Sequence, residues 1–173
     1  MLKRFIPFAH AESIYAIDLS FYKKLGIKYV FADLDNTLDS YKQATPLEKA
    51  VKLKEELTKL GIELIIVSNN TGARVQKYSK ELGVRHFSSL AKPFSFKLKK
   101  IMKRANIKPE EVVMIGDQTV TDISCANGAK VKSILTDKLV KEDQPTTRFN
   151  RLFDKPIRRK LEKKNLLRDW RQI

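Results

Sequence analysis

Asp33 and Asp35 stand two positions apart at the end of an apolar run, inside the stretch FADLDNTLD (31–39). A strand end normally avoids charge unless something stabilises it. Side chains alternate along an extended chain, so these two carboxylates tend to face the same way and repel each other. A bound Mg²⁺ relieves such repulsion, because it takes oxygen ligands and commonly uses one or two carboxylates together with phosphate and water. Asp117 supplies a further carboxylate. With charge neutralised, one carboxylate can attack phosphorus in line and form an aspartyl-phosphate, while a second acid protonates the leaving oxygen and then activates water. Asp33 is the expected nucleophile and Asp35 the expected acid/base. Ser68, with neighbouring backbone N–H groups, and Lys92, as a compact cation, suit the phosphoryl oxygens as charge shifts in the transition state. Thr37 and Asn69 complete the expected phosphate-binding set.

These residues need elements that bring them together. Apolar and β-branched runs at 27–32, 62–67, 84–87, 112–115 and 131–135 read as strands. Helical patterns lie between them: after Pro46 up to Gly61, over 74–82 before Gly83, over 94–105, and over 120–127 before Gly128. The alternation predicts an α/β fold, with about five parallel strands, helices on both faces and right-handed crossovers. Ligands in such a sheet bind beyond the carboxyl ends of the strands. Asp33, Asp35 and Thr37 follow the first of these strands; Ser68 and Asn69 follow the second; Lys92 lies after the third; Asp117 and Asp122 follow the fourth. Four loops are thus expected to converge on one cleft.

In that order and context, DLDNT (33–37), IIVSNN with Ser68, AKP with Lys92, and GDQTVTD (116–122) resemble the four motifs of the haloacid dehalogenase superfamily of phosphohydrolases. The resemblance covers about residues 27–136. It implies a Rossmann-like fold, with Mg²⁺ bound by Asp33, the backbone carbonyl of Asp35 and Asp117, and with Asp122 supporting the metal site. The wording FADLDNTL and GDQ-TD looks most like the YqeG-type group of class IIIA, which is similar to phosphatidylglycerophosphate phosphatases.

Phosphatases of this superfamily that act on small metabolites usually insert a cap domain between the first and second motifs or between the second and third. Here residues 38–67 and 69–91 are largely filled by the expected helices and strands, so an open, capless cleft is expected. Such a cleft admits a phosphate carried on something large: a lipid headgroup, a phosphoprotein or a nucleic-acid end.

Composition sets the bounds. The 173 residues, 42% of them hydrophobic, suit one globular domain, read as an N-terminal helical extension (1–26), a phosphatase core (27–147) and a basic C-terminal segment (148–173). The 35 Lys and Arg against 20 Asp and Glu give +15 and favour polyanionic partners: an anionic bilayer, nucleic acid or a phosphorylated ligand. A single cysteine excludes an intramolecular disulfide framework, and no run is long or apolar enough to span a bilayer. A cytoplasmic protein, peripheral at the membrane, is the expectation. From Phe149 onward, Leu152, Phe153, Ile157 and Leu161 recur near helical spacing among Arg and Lys, a pattern suited to lying on anionic lipid or to packing on the core; Pro156 is expected to kink or end that helix. The favoured substrate is phosphatidylglycerophosphate. The second-ranked readings are a phosphatase for nucleic acid or a ribosome-associated ligand, and a non-catalytic module of the same fold.

Overall fold

The computed structural model describes residues 2–70, 72–140 and 145–173, with the side chains of 145–151 outside that description. Six strands form one sheet: β1 (Ala9–Ala11), β2 (Tyr29–Ala32), β3 (Glu63–Val67), β4 (Arg85–Phe87), β5 (Val112–Gly116) and β6 (Lys132–Thr136). All pair in parallel, in the order β1-β6-β5-β2-β3-β4.

The period of two along each central strand divides the interior into two cores. Val30, Ala32, Leu64, Ile66, Val113 and Ile115 face one core, while Phe31, Ile65, Val67, Val112 and Met114 face the other. Burial on both faces is why these strands read as nearly unbroken apolar runs. Helices cover both sides: α1 (Leu19–Lys24), α2 (Glu48–Lys59) and α3 (Ala73–Leu82) lie over the first core, α4 (Phe96–Arg104) and α5 (Ser124–Gly128) over the second. Ala50, Leu53 and Leu57 on α2, and Val75, Tyr78 and Leu82 on α3, keep the i, i+3, i+7 spacing of a single buried stripe. Gly83 ends α3 in the left-handed region at φ 70, where a side chain would be strained.

The five expected strands are all present. The sixth, β1, comes from the N-terminal segment expected to be helical; it pairs with β6, matching Ala9 to Ile134 and Ala11 to Thr136. Its sequence, AHA, carries no β-branched residue, so its backbone partners fix its conformation. On the other flank of β1, the His10 N–H donates to Arg168 O at 2.7 Å, and the Trp170 ring packs edge-on against Phe21 at 5.5 Å between centroids. Trp170 therefore docks on the body of the protein.

The C-terminal helix α6 (Pro145–Lys163) runs through Pro156, where a kink or stop was expected. Proline removes the bond to the carbonyl four residues earlier, that of Leu152. Both residues are exposed, so water can take the released carbonyl and the helix continues. The side chains of Phe149 and Arg151, part of the expected amphipathic pattern, lie outside the described residues. No helix among the described residues is long and apolar enough to cross a membrane.

Candidate active site

The sheet order reverses between β2 and β5: from β2 the chain winds outward to β3 and β4, and from β5 it winds the other way to β6. That reversal opens a crevice beyond the two carboxyl ends. Asp33 is the first residue past β2, and its N–H still donates to Ile115 O at 2.9 Å, so the ladder itself fixes its position. Asp117 directly follows β5. Ser68 follows β3 and is held by its N–H on Phe87 O at 2.9 Å.

Lys92 reaches the crevice from the loop after β4. Its buried Nζ donates to Asp33 Oδ1 at 2.6 Å, to Asp122 Oδ1 at 2.7 Å and to Val67 O at 3.1 Å. The Asn69 side chain fixes that loop, accepting from Lys92 N at 2.7 Å and donating to Lys92 O at 2.9 Å. Asn69, expected at the phosphate, thus has its amide committed to positioning Lys92. Asp122 also accepts from Gln118 N at 3.2 Å, which closes the turn after β5.

Carboxylate oxygens of Asp33, Asp117 and Asp122 lie within 4.8 Å of one another, and all three residues are buried. Gly116 makes this approach feasible: a Cβ there would come to 2.3 Å from Asp122 Cγ, a separation no packed carbon reaches. Three carboxylates around one ammonium leave excess negative charge. Burial pushes Asp33 up to about 8; the Lys92 ammonium opposes that shift, while Asp122, Asp35 and Asp117 add to it. Burial pulls Lys92 down, but the charges of Asp122 and Asp33 outweigh it and hold Lys92 above its ordinary value. An all-oxygen cluster whose crowding discourages ionisation is suited to a hard divalent cation, which would restore the Asp33 carboxylate.

Asp35 stands apart from this triad. Arg74 Nη1 donates to its Oδ1 at 2.5 Å and Asn70 Nδ2 to its Oδ2 at 2.7 Å. The same guanidinium donates to Ser40 O at 2.8 Å and Gln43 O at 3.1 Å, pinning the loop that leaves β2. Thr37 is buried beside it, and among the described residues its Oγ1 meets no hydrogen-bond partner. Ser68 Oγ accepts from Asn70 N at 3.1 Å.

Two contributors escaped the sequence reading. Arg74 opens α3 just after the Ser68 motif, and only the fold shows that it reaches Asp35. Asp154 projects from α6, is buried, and accepts from Thr119 N at 2.6 Å, Thr119 Oγ1 at 2.6 Å and Val120 N at 3.1 Å. It thereby caps the π-helical turn Thr119–Ile123 that begins two residues after Asp117. The available signal was a single acid among basic neighbours in residues 148–160. Cys125 is a buried thiol, pushed up to about 11 by burial, and contributes packing.

Residues 2–136 match the family described as haloacid dehalogenase-like hydrolase. The chain is 32% identical over 165 residues to "Probable phosphatase YqeG" of Bacillus subtilis (strain 168), an alignment covering 95% of this chain and 96% of that protein. It is 24% identical over 151 residues to phosphatidylglycerophosphate phosphatase 1, chloroplastic/mitochondrial, of Arabidopsis thaliana, covering 81% of this chain but 43% of that longer protein. Its fold is similar to that of the cobalt-bound deoxy-D-mannose-octulosonate 8-phosphate phosphatase YrbI of Haemophilus influenzae, with a TM-score of 0.51, 18% identity, and coverage of 66% and 81% of the two chains.

Proposed function

The chain belongs to the haloacid dehalogenase-like hydrolases and is a phosphatase of that family, and on that footing we propose that it hydrolyses the phosphomonoester of phosphatidylglycerophosphate through a phosphoryl group carried on Asp33, with Mg²⁺ as cofactor. The observation that carries the chemistry is the buried cluster at the switch point: Asp33 against Lys92, with Asp117 and Asp122 within 4.8 Å.

In the first half-reaction an Asp33 carboxylate oxygen bonds to phosphorus, the bond from phosphorus to the glycerol oxygen breaks, and Asp35 supplies that oxygen with a proton. In the second, water attacks phosphorus, gives its proton to Asp35, and the bond to Asp33 breaks. Arg74 and Asn70 orient the Asp35 carboxyl through both halves. Lys92, buried and charged, stands beside Asp33 where the phosphoryl oxygens gather charge. Asp33, Asp117, the Asp35 backbone carbonyl and, in support, Asp122 would hold Mg²⁺, which supplies the positive charge that ionises Asp33 and screens it from the incoming phosphate. The buried Thr37 Oγ1 and the Ser68 hydroxyl offer further phosphate contacts.

The lipid substrate is supported by the Arabidopsis relative's named activity and by an open cleft. The connections through α2 and α3 carry no inserted domain over the site among the described residues. The basic surface suits anionic lipid. The test is phosphate release with Mg²⁺ from phosphatidylglycerophosphate in mixed micelles, beside an aryl phosphate and a 5′-phosphorylated oligonucleotide. The lipid is expected to give the highest kcat/KM by about a hundredfold, and Asp33→Asn to lower all three by about a thousandfold or more. Equal or faster turnover of the oligonucleotide would overturn the lipid assignment and leave the phosphatase chemistry standing.

A further inference from the structure

The exposed large apolar side chains of the described residues are distributed unevenly. They are Leu47, Val51, Phe94, Phe96, Leu152 and Phe153. Leu47 and Val51 start α2 after β2, and Phe94 and Phe96 start α4 after β4. Leu152 and Phe153 immediately precede Asp154, which holds the turn after β5. All six therefore lie at the carboxyl end of the sheet, around the mouth of the site. Four of them are the most exposed: Phe94 and Phe96 at 59%, Leu152 at 69% and Phe153 at 54%.

These four border one segment. Cys125 Sγ contacts Phe94 O at 3.4 Å, and Thr119 N donates to Asp154, so both pairs flank the stretch 119–128 that carries Asp122. Phe94 is two residues from Lys92. The buried Asp154 ties α6 to the turn, so the position of Leu152 and Phe153 relative to the site is fixed by the fold.

The charge around them is predominantly positive. The helix α4 contains no acid and exposes Lys99, Lys100, Lys103 and Arg104. On α6, Lys155, Arg159, Lys160 and Lys163 are exposed against one exposed acid, Glu162, which pairs with Arg158 on the same helix at 3.6 Å, while Asp154 is turned inward. Apolar side chains rimmed by cations match an anionic lipid interface, where the apolar groups enter the headgroup boundary and the lysines meet lipid phosphates. A second copy of the chain would bring the same cations against these, a like-charge juxtaposition that opposes association. Single-stranded nucleic acid has bases to stack on Phe94 and Phe96 but offers no comparable cover for Leu152.

We propose that this face docks on an anionic bilayer, with Phe94, Phe96, Leu152 and Phe153 inserted and the lysines of α4 and α6 on the headgroups, so that the cleft opens directly onto lipid-borne phosphate. The inference deepens the reading of the substrate as lipid-borne and rests on it.

The test is co-sedimentation of the full chain with vesicles of phosphatidylcholine, with and without phosphatidylglycerol, which contain no phosphomonoester and so report docking without turnover. Binding is expected to be about tenfold or more tighter to the anionic vesicles. The Phe94→Ser/Phe96→Ser and Leu152→Ser/Phe153→Ser double variants are each expected to lower it about tenfold while hydrolysing a soluble aryl phosphate at the parental rate. Unchanged vesicle binding by both double variants overturns the proposal, as does binding to RNA in preference to anionic vesicles. Retained docking without hydrolysis of phosphatidylglycerophosphate in micelles would remove the substrate and leave the surface; hydrolysis in micelles with no vesicle binding would do the reverse.

Discussion

Asp154→Ala should loosen the active site from outside it. One carboxylate oxygen, Oδ1, accepts from Thr119 N, Thr119 Oγ1 and Val120 N, at 2.6, 2.6 and 3.1 Å. Truncation to Ala takes that acceptor from two backbone N–H groups, while the hydroxyl can rotate to another. Each buried donor left unsatisfied costs about 1–3 kcal/mol, so the variant should lose about 2–4 kcal/mol. Asp154→Asn keeps an oxygen in place but not its charge, and should lose about 1 kcal/mol. Urea unfolding followed by the fluorescence of Trp170, the single tryptophan, measures both. The turn begins two residues after Asp117 and contains Asp122, so its loosening should also weaken the apparent Mg²⁺ affinity in the phosphatase assay by about tenfold or more, the usual effect of removing a partner that orients metal ligands. The rank order Ala, Asn, parent should hold in both measurements. An Ala variant within about 0.5 kcal/mol of the parent, with an unchanged Mg²⁺ requirement, would refute the reasoning.

Lys92→Met removes the ammonium between Asp33 and Asp122 and leaves their buried oxygens without their shared donor; thermal melts should show a loss of roughly 3–5 kcal/mol, partly restored by Mg²⁺, and turnover should be abolished. In the metal-free protein, Asp33 sits near 8 when folded against an ordinary value of 3.8, so between those limits the folded state holds a proton that the unfolded state has released. Stability without metal should therefore fall as pH rises from about 4 to about 8, by at most about 1.4 kcal/mol per pH unit, and Mg²⁺ should flatten the slope. Urea midpoints across that range test it, and a slope that survives Asp33→Asn unchanged would place the titration on another group.

The chain's local chemistry declares the strands and the acids together. Strands β2, β3 and β5 are buried on both faces, which forces uninterrupted apolar runs, and the polar residue that breaks each run marks its carboxyl end. Asp33, Ser68 and Asp117 were legible for that reason. Strand β1 was not, because AHA has no strand preference of its own and takes its form from the edge of β6. The contact between Asn69 and Lys92 was equally hidden: both ends of the Asn69 amide meet the backbone of a residue 23 positions away.

What the sequence determines by itself is the alternating α/β order, the type and spacing of the polar groups that follow the strands, and the lack of room for a cap, because each follows from periodicities and lengths within a few tens of residues. Tertiary structure alone decides which charges meet. Arg74 reaches Asp35 across 39 positions, and Asp154 reaches Thr119 across 35. The sheet's reversal between β2 and β5 brings three carboxylates and Lys92 into one buried volume, and the same packing gathers the exposed phenylalanines and leucines at its rim. Contacts of that range depend on how layers stack, and stacking is set by the whole apolar interior, which no local stretch of the chain contains.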